Sequence, residues 1–318
     1  MPCPRRFALP VATILAAAVL ISAVPSGFAA APLDCSGNAL PGVGGKGVRA
    51  SRLADGSVAA YSGMNINIDG YARAYHPKNR AAGAVLHLCV GAKVWLPDGS
   101  AYEGSESQAT CTGKFMADLA RIEAAGWADP SVGLMQWYGV AAQGSAKIGG
   151  RTVQGIRPLL QKDGSGFYVS PTSLVDKTVT DLADQRRYVN PLRVASAVVP
   201  STVVQAGVRM GSFGVAVDGK RQVAVPFIVG DGGPRVGEGS PALARQVAGL
   251  PLSDDINLKN RYEGQVDGAR VLWVYFGGSA SAFDHTKEGE IAANARVAFD
   301  AWGGDQRLAA CLAALPKP

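Results

Sequence analysis

Two acidic side chains, Asp231 and Glu238, lie seven residues apart in the glycine-rich stretch GDGGPRVGEGSP, which follows the apolar residues 223–229. Paired carboxyl groups can hydrolyse a glycosidic bond, because one gives a proton to the leaving oxygen while the other activates water. Enzymes that invert the anomeric centre hold these two groups roughly 6.5–9.5 Å apart, a separation that such a loop can bridge. The stretch therefore predicts acid–base chemistry on a sugar polymer.

The residues around the pair suggest how the two carboxyl groups would differ. Asp231 follows the apolar residues 227–229, and apolar walls raise the pKa of a carboxyl, so Asp231 is the candidate acid. Ser240 precedes a predicted helix over 241–248, whose positive end favours an ionised Glu238, the candidate base. The reverse assignment fits the residues nearly as well. In a purely structural interpretation, Asp231 fixes the loop and Glu238 caps the helix.

Other chemistries lack their motifs. The chain has three histidines and no Gly-x-Ser-x-Gly elbow, which argues against a serine hydrolase. The glycine-rich loop lacks the Gly-Lys-Ser/Thr of phosphate-binding loops. No Cys-x-x-Cys pair and no His-Glu-x-x-His helix indicates a zinc site. We therefore expect neither a metal ion nor a cofactor.

The N-terminus predicts an export signal. Basic residues 5–6 precede the apolar run 7–24, and small residues lead up to a predicted cleavage after Ala29. We expect 1–29 to be a signal peptide and 30–318 to form a single domain of a secreted or periplasmic protein. That protein would have no stable membrane association after cleavage, whereas an uncleaved anchor is the alternative.

Export changes the meaning of the cysteines. Cys3 would leave with the signal peptide, so four cysteines would remain in an oxidising compartment, where they can form two disulfides in three ways. We favour Cys89–Cys111, which encloses a local loop, and Cys35–Cys311, which ties the termini together. Buried free thiols are the alternative.

The pattern along the chain predicts a mainly β protein. Forty glycines and nineteen prolines separate short strand-like runs, including an alternating one over 64–69 and a hairpin over 214–229. Helical spacing appears over 114–125, which Thr112 would cap, and over 288–315. Numerous short strands with few helical patches predict a closed β-barrel with helices and loops around it.

Several short motifs recur in the order known from one family. In these motifs the chain resembles the bacterial branch of glycoside hydrolase family 75, the fungal-type chitosanases, over about 61–276. The most specific piece is the Gly-Asp…Gly-Glu-Gly-Ser element around Asp231 and Glu238. The other motifs are NIDG at 67–70, RAYHP at 73–77, GFYVS at 166–170 and RYVN at 187–190.

The resemblance implies an enzyme without a cofactor. It implies an endo-chitosanase that cleaves β-1,4 bonds in partly deacetylated chitosan with inversion, with Asp231 and Glu238 as its catalytic carboxyl groups. The strand, loop and helix around Asp231 also resemble an element of double-psi β-barrel proteins. That second resemblance implies a closed six-stranded, double-psi-like barrel with peripheral helices and loops.

Substrate contacts are expected from polar and aromatic side chains. The family's first acidic motif carries an acid where this chain has Asn67, so Asp69 is either a substrate contact or a turn-former before Gly70. The predicted substrate-binding residues are Asp69, Tyr75, His76 and Tyr188. The wider set of aromatic candidates for packing on sugar rings is Tyr71, Tyr75, Trp137, Tyr138 and Tyr188, for each of which core packing is the alternative.

The charge of the chain bears on its partner. The net charge is +6, with no basic run or aromatic–basic alternation that would indicate nucleic acid. Chitosan is a polycation, so it would need an acidic cleft in this basic protein. We expect a monomer that binds an amino-sugar polysaccharide: chitosan, chitin or peptidoglycan. The alternatives are a peptidoglycan-cleaving enzyme and a non-catalytic wall-polysaccharide-binding double-psi barrel protein.

Overall fold

The computed structural model describes residues 34–45, 48–104 and 108–315. The predicted signal peptide, 1–29, lies outside these described residues, so the export signal and the single domain over 30–318 stay predictions. Strands make up 30% of the protein and helices 24%, which confirms the predicted mainly β class. No helix within the described ranges has the length and apolar character that crossing a membrane requires.

Short strands and helices follow one another along the chain. In the described residues the strands are β1 (Gly37–Ala39), β2 (Arg49–Leu53), β3 (Val58–Ile66), β4 (Ala92–Trp95), β5 (Ala101–Glu103), β6 (Leu134–Trp137), β7 (Ala142–Ile148), β8 (Arg151–Pro158), β9 (Ser196–Val199), β10 (Ser212–Asp218), β11 (Ala224–Gly232), β12 (Glu238–Gly239) and β13 (Val266–Ala280). The helices there are α1 (Gln108–Thr112), α2 (Lys114–Ala124), α3 (Ser201–Gln205), α4 (Pro241–Val247), α5 (Glu288–Trp302) and α6 (Gly304–Ala314).

Six of the strands close into a barrel. Hydrogen bonds join them in the order β3, β12, β9, β11, β10 and β13, and β13 pairs back onto β3 to complete the ring. β12 runs parallel to β3 and β11 runs parallel to β9, while the other neighbours in the ring run antiparallel. The prediction of a closed six-stranded barrel with peripheral helices is therefore confirmed.

Three aromatic rings pack together in the barrel interior. Phe227 of β11 packs edge-on against Trp273 and Tyr275 of β13, with ring centroids 5.9 and 5.4 Å away. All three side chains are fully buried, and removing their large apolar surface from water stabilises the barrel. Gly214 of β10 faces the Phe227 ring, and a Cβ there would lie 2.4 Å from it. Only a glycine lets the ring approach this strand.

Most predicted elements are present with shifted ends. The hairpin predicted over 214–229 is formed by β10 and β11, in which Val215 faces Pro226. The helix predicted over 114–125 is α2, but the prediction that Thr112 caps it is wrong: Gly113 stands at the N-cap, and Thr112 ends α1. The predicted terminal helical pair is α5 and α6.

The strand predicted over 64–69 is wrong at its C-terminal end. β3 ends at Ile66, because the side chain of Asn67 accepts a hydrogen bond at 2.8 Å from the N–H of Asp69 and turns the chain. A short polar side chain often competes with strand pairing in this way. The turn carries Asp69 off the strand.

Two disulfides bridge the four described cysteines. Cys35 pairs with Cys311 of α6, and Cys89 pairs with Cys111 of α1. The Cα atoms are 5.0 and 5.4 Å apart, within the usual range for disulfides. These are the two pairings that the sequence favours. The first joins residues 276 positions apart and fastens the start of the described chain to its last helix.

Candidate functional site

Asp231 lies at the C-terminal end of β11. The pairing of this strand with β9 shifts register between Val229 and Asp231, so Asp231 lies where the regular hydrogen-bond ladder is interrupted. One carboxyl oxygen, Oδ1, accepts hydrogen bonds from the N–H of Ser173 at 2.9 Å, from the Ser173 hydroxyl, and from the N–H of Gly232 at 2.8 Å. The sequence places Asp231 in the loop after a strand, whereas the structure keeps it inside the strand.

Glu238 lies on β12, the shortest strand of the barrel ring. Asn65 donates to the carbonyl of Gly237 at 2.7 Å, and β12 runs beside the end of β3. Gly237 has φ +105°, and a Cβ there would lie 2.2 Å from the Ser62 hydroxyl oxygen. The glycine therefore lets the chain pass close to β3 and sets the direction of Glu238. Nε of Arg235 donates to Oε1 of Glu238 at 2.8 Å.

Asp69 reaches the same end of the barrel from the turn after β3. Asn67, two residues earlier, donates to the carbonyl of Gly239 at 2.8 Å, so this turn runs alongside β12. The hydroxyl of Tyr75 lies 3.4 Å from Oδ1 of Asp69 and donates to it. The fold thus brings Asp69 to Glu238, although 169 positions separate them in the chain.

The segment 170–173 contacts the carboxyl groups of Asp69 and Asp231. Ser170 accepts a hydrogen bond from the N–H of Gly70 at 3.1 Å, and its hydroxyl also bonds the carboxyl of Asp69. Ser173, three residues later, donates twice to Asp231. Gln185 fixes the segment by accepting from Ser170 N–H at 2.9 Å and donating to the Ser170 carbonyl at 2.8 Å.

The three carboxyl groups influence one another electrostatically. Burial raises the pKa of Asp69 well above its ordinary value, and the negative charges of Asp231 and Glu238 raise it further. Burial also raises the pKa of Asp231, against the hydrogen bonds from Ser173 and Gly232, which lower it. Two neighbouring carboxyl groups in such surroundings titrate as a pair, so they hold a proton at a pH where isolated carboxyl groups are ionised.

The cluster can therefore supply both partners of acid–base catalysis. Asp69 and Asp231 can hold a proton for donation, while the guanidinium of Arg235 is paired with the carboxyl group of Glu238. The side chain of Glu238 is 16% exposed, so water can reach it. A proton donor and a water-accessible carboxylate at one end of a barrel are the parts that hydrolysis of an acetal needs.

The predicted aromatic contacts are mostly buried in the core. Tyr138 differs from them, because it is 53% exposed and the charge of Asp69 reaches it. An exposed ring within the electrostatic reach of Asp69 is suited to packing on a sugar. The other four candidates, Tyr71, Tyr75, Trp137 and Tyr188, are each less than 9% exposed.

The predicted substrate-binding residues lie in three places. Tyr75 contacts Asp69 through its hydroxyl. His76 packs edge-on against Phe167, with centroids 4.9 Å apart, and within the described residues its hydrogen bond is to Lys78 rather than to the carboxyl cluster. Tyr188 donates to the carbonyl of Leu182 at 3.2 Å. The substrate roles of these residues stay predictions.

Tyr188 lines a cavity of about 790 Å³ that the sequence does not indicate. The three carboxyl groups are not part of its lining, but Gly70, next to Asp69, forms part of its wall. Gln185 also lines it and donates to the carbonyl of Gly70 at 3.0 Å. The cavity therefore borders the turn at Gly70 that follows Asp69.

One group of side chains in the described residues has the spacing of metal ligands. Ligand atoms of Asp176, Asp284 and His285 lie within 4.8 Å of one another. Asp176 is fully hydrogen-bonded, however: Oδ1 accepts from Thr178, and Oδ2 accepts from the N–H of His285 at 3.0 Å and lies 2.7 Å from its Nδ1. These contacts account for the arrangement without an ion, and the expectation of no metal stays a prediction.

Two residues of the site could not be identified from sequence. Ser173 follows the matched motif over 166–170 and shows no pattern that would connect it with Asp231, which is 58 positions away. Arg235 belongs to the glycine-rich loop, and its spacing of three from Glu238 is the one available signal. Searches against protein-family models and against curated proteins find no match to this sequence.

Proposed function

We propose that the protein is a secreted endo-glycosidase of chitosanase type. It hydrolyses β-1,4 bonds in partly deacetylated chitosan with inversion, and Asp231 and Glu238 are its essential carboxyl groups. The observation that carries the proposal is the meeting of Asp69, Asp231 and Glu238 at one end of the barrel. These acids come from separate elements, and a fold gains little stability by bringing like charges together.

The local charge supports a cationic substrate. The chain is net basic, with a charge of +6, but the cluster assembles three carboxyl groups. In the described residues the cation that pairs with them is Arg235, through Glu238. A protonated amino sugar would thus meet a locally negative surface despite the overall charge, because nearby charges dominate at distances shorter than the screening length.

The disulfides support export. Bridges such as Cys35–Cys311 and Cys89–Cys111 form and persist in oxidising compartments and are rare in the cytosol. An enzyme that acts on an insoluble or very large polymer has to meet that polymer outside the cell. The disulfides and the proposed substrate class are therefore consistent with each other.

The test compares polymers and variants. The protein is incubated with chitosan, chitin and peptidoglycan, and new reducing ends are measured. We expect chain shortening of chitosan oligomers, and its loss by about 10²–10⁴ in Asp231→Asn and in Glu238→Gln. Asp305→Asn, the same chemical change at a side chain 71% exposed on α6, is the matched control and should keep full activity.

The outcomes separate the proposal from its alternatives. Full activity in Asp231→Asn or Glu238→Gln, with unchanged thermal unfolding, would refute the assignment of these residues. Retention of the protein on insoluble chitin or peptidoglycan without new reducing ends would indicate a binding protein. Anhydro-sugar ends detected by mass spectrometry of peptidoglycan digests would indicate lytic cleavage instead of hydrolysis.

A further inference from the structure

We propose that Asp69 is a catalytic residue and the general acid of the site, while Asp231 stays ionised as its neighbour. The inference rests on the proposed function and deepens it, because the pair Asp231 and Glu238 alone leaves the source of the proton open.

The hydrogen-bond donors around Asp231 stabilise the ionised form of its carboxyl group. Its Oδ1 receives two backbone N–H groups and one hydroxyl, from Ser173 and Gly232. Such converging donors stabilise a carboxylate and leave that oxygen little room for a proton. Asp69 receives the hydroxyl of Tyr75 at a longer 3.4 Å and that of Ser170. When Asp69 and Asp231 hold one proton between them, the proton is therefore more stable on Asp69 than on Asp231.

The backbone holds the two acids at the same end of the barrel. Ser170 contacts Asp69 and Ser173 contacts Asp231, and three residues of chain span at most about 11 Å between Cα atoms. Leu174 then donates to the carbonyl of Gly230 at 2.9 Å, which anchors the segment on β11. One short segment thus fixes both carboxyl groups relative to each other.

The charged and titratable groups that face Asp69 are largely acidic. They are Asp231 of β11, Glu238 of β12, Tyr75 from its own turn region, and Tyr138. Tyr75 is buried and neutral, because burial and the nearby Asp69 raise its pKa well above its ordinary value. Within the described residues, Arg235 pairs with Glu238 and is not hydrogen-bonded to Asp69. Ionisation of Asp69 would therefore add a third negative charge to the cluster.

The three carboxyl groups have different roles in the proposed hydrolysis. The proton of Asp69 moves to the glycosidic oxygen as the bond from that oxygen to the anomeric carbon breaks. Glu238 takes a proton from water as the water oxygen bonds to the same carbon on the opposite face. Asp231 remains a carboxylate and stabilises the positive charge that develops on the sugar ring. Solvent then carries the proton from Glu238 back to Asp69.

A titration that needs no substrate tests where the proton lies. In protein labelled with ¹³C at aspartate carboxyl carbons, we expect the Asp69 resonance to show the larger change at the higher-pH step of the pair. Asp231→Asn removes the neighbouring charge and should move the Asp69 titration to lower pH. If the larger change at that step belongs to the Asp231 resonance instead, the proposal is overturned.

A substrate with an activated leaving group tests the catalytic step. Glucosamine-oligomer β-fluorides depend little on protonation of the leaving group, so Asp69→Asn should lose activity on chitosan oligomers by about 10²–10⁴ but keep most of it on the fluoride. Glu238→Gln should lose both. Equal losses of Asp69→Asn on the two substrates would overturn the inference. Inactivity of the wild-type protein on every polymer would refute the proposed function and, with it, the catalytic role of Asp69. A titration that places the proton on Asp231 in an active protein would overturn the role of Asp69 alone.

Discussion

Ser173 donates two hydrogen bonds, one from its backbone N–H and one from its hydroxyl, to a single oxygen of Asp231. The same arrangement occurs between Ser131 and Asp129 on an exposed turn, at 2.9 and 2.7 Å. The difference lies in the surroundings, because Asp231 is half-buried and belongs to a cluster of three carboxyl groups. Removing one hydroxyl should therefore have different consequences at the two positions.

Ser173→Ala should move the titration of the carboxyl cluster to higher pH. The hydroxyl bonds the charged form of Asp231, and a hydrogen bond to the charged form lowers the pKa, so its loss raises it. We expect activity on chitosan oligomers to fall by about ten- to a hundredfold, the range for a lost hydrogen bond to a charged group. Ser131→Ala is the control. Equal activity of the two variants would contradict a role for Ser173.

Tyr138 should contribute to substrate binding through its ring. It is the exposed member of the aromatic candidates and lies near Asp69. Tyr138→Ala should raise KM for chitosan oligomers about tenfold, the upper range for one aromatic contact, and change kcat little. Tyr138→Phe retains the ring and should stay close to wild type. If Tyr138→Phe raises KM as much as Tyr138→Ala does, the substrate contact is made by the hydroxyl and not by stacking on the ring.

Gly237→Ala should displace Glu238 and destabilise the fold. The new Cβ would meet the Ser62 hydroxyl oxygen at 2.2 Å, and φ +105° already disfavours a side chain. We expect about 3 kcal/mol or more of lost stability, from overpacking added to backbone strain. Gly268→Ala is the control, because its φ of +78° is also unfavourable but no atom lies within 4 Å. That variant should lose about 1 kcal/mol. Equal thermal unfolding of the two would refute the close approach.

The sequence predicts the barrel and the acid pair, but not the contacts that assemble the site. Local signals are sufficient for the helix at Pro241–Val247, where the side chain of Ser240 accepts from the N–H of Leu243 at 3.2 Å. They are also sufficient for the hairpin, whose turn and strands are adjacent in the chain. Such features depend on residues a few positions apart, and their patterns are visible in one sequence.

Long-range contacts leave no comparable pattern. Ser173 and Asp231 are 58 positions apart, and their meeting depends on how the segment 170–173 crosses the end of β11. The motif at 67–70 suggests Asp69 as a site residue. The turn that carries Asp69 is not suggested, because the alternation of apolar and polar residues predicts a strand over 64–69. The side chain of Asn67 competes with strand pairing by accepting a hydrogen bond from the N–H of Asp69. The position of this turn also depends on the long-range hydrogen bond from the N–H of Asn67 to Gly239.

Asp176 should make the stability of the fold depend on pH in the acid range. Its side chain is 1% exposed and joins Thr178 to His285, which is 109 positions away. Hydrogen bonds from Thr178 and His285 hold the pKa of Asp176 well below its ordinary value of about 3.9. A carboxyl whose pKa is lowered on folding contributes stability above its unfolded pKa, and this contribution disappears as the pH falls through that value toward the folded pKa.

Asp176→Asn should therefore lower the midpoint of thermal unfolding at neutral pH and reduce its decline below pH 4. The amide has one accepting oxygen where the carboxylate has two, so either His285 or Thr178 would lose its partner at every pH. Thermal unfolding followed between neutral pH and about pH 2 measures both effects. Asp305→Asn on the exposed surface of α6 is the control and should reproduce the wild-type profile. An unchanged acid decline in Asp176→Asn would show that other carboxyl groups control acid unfolding, and that the bridge between Thr178 and His285 contributes little.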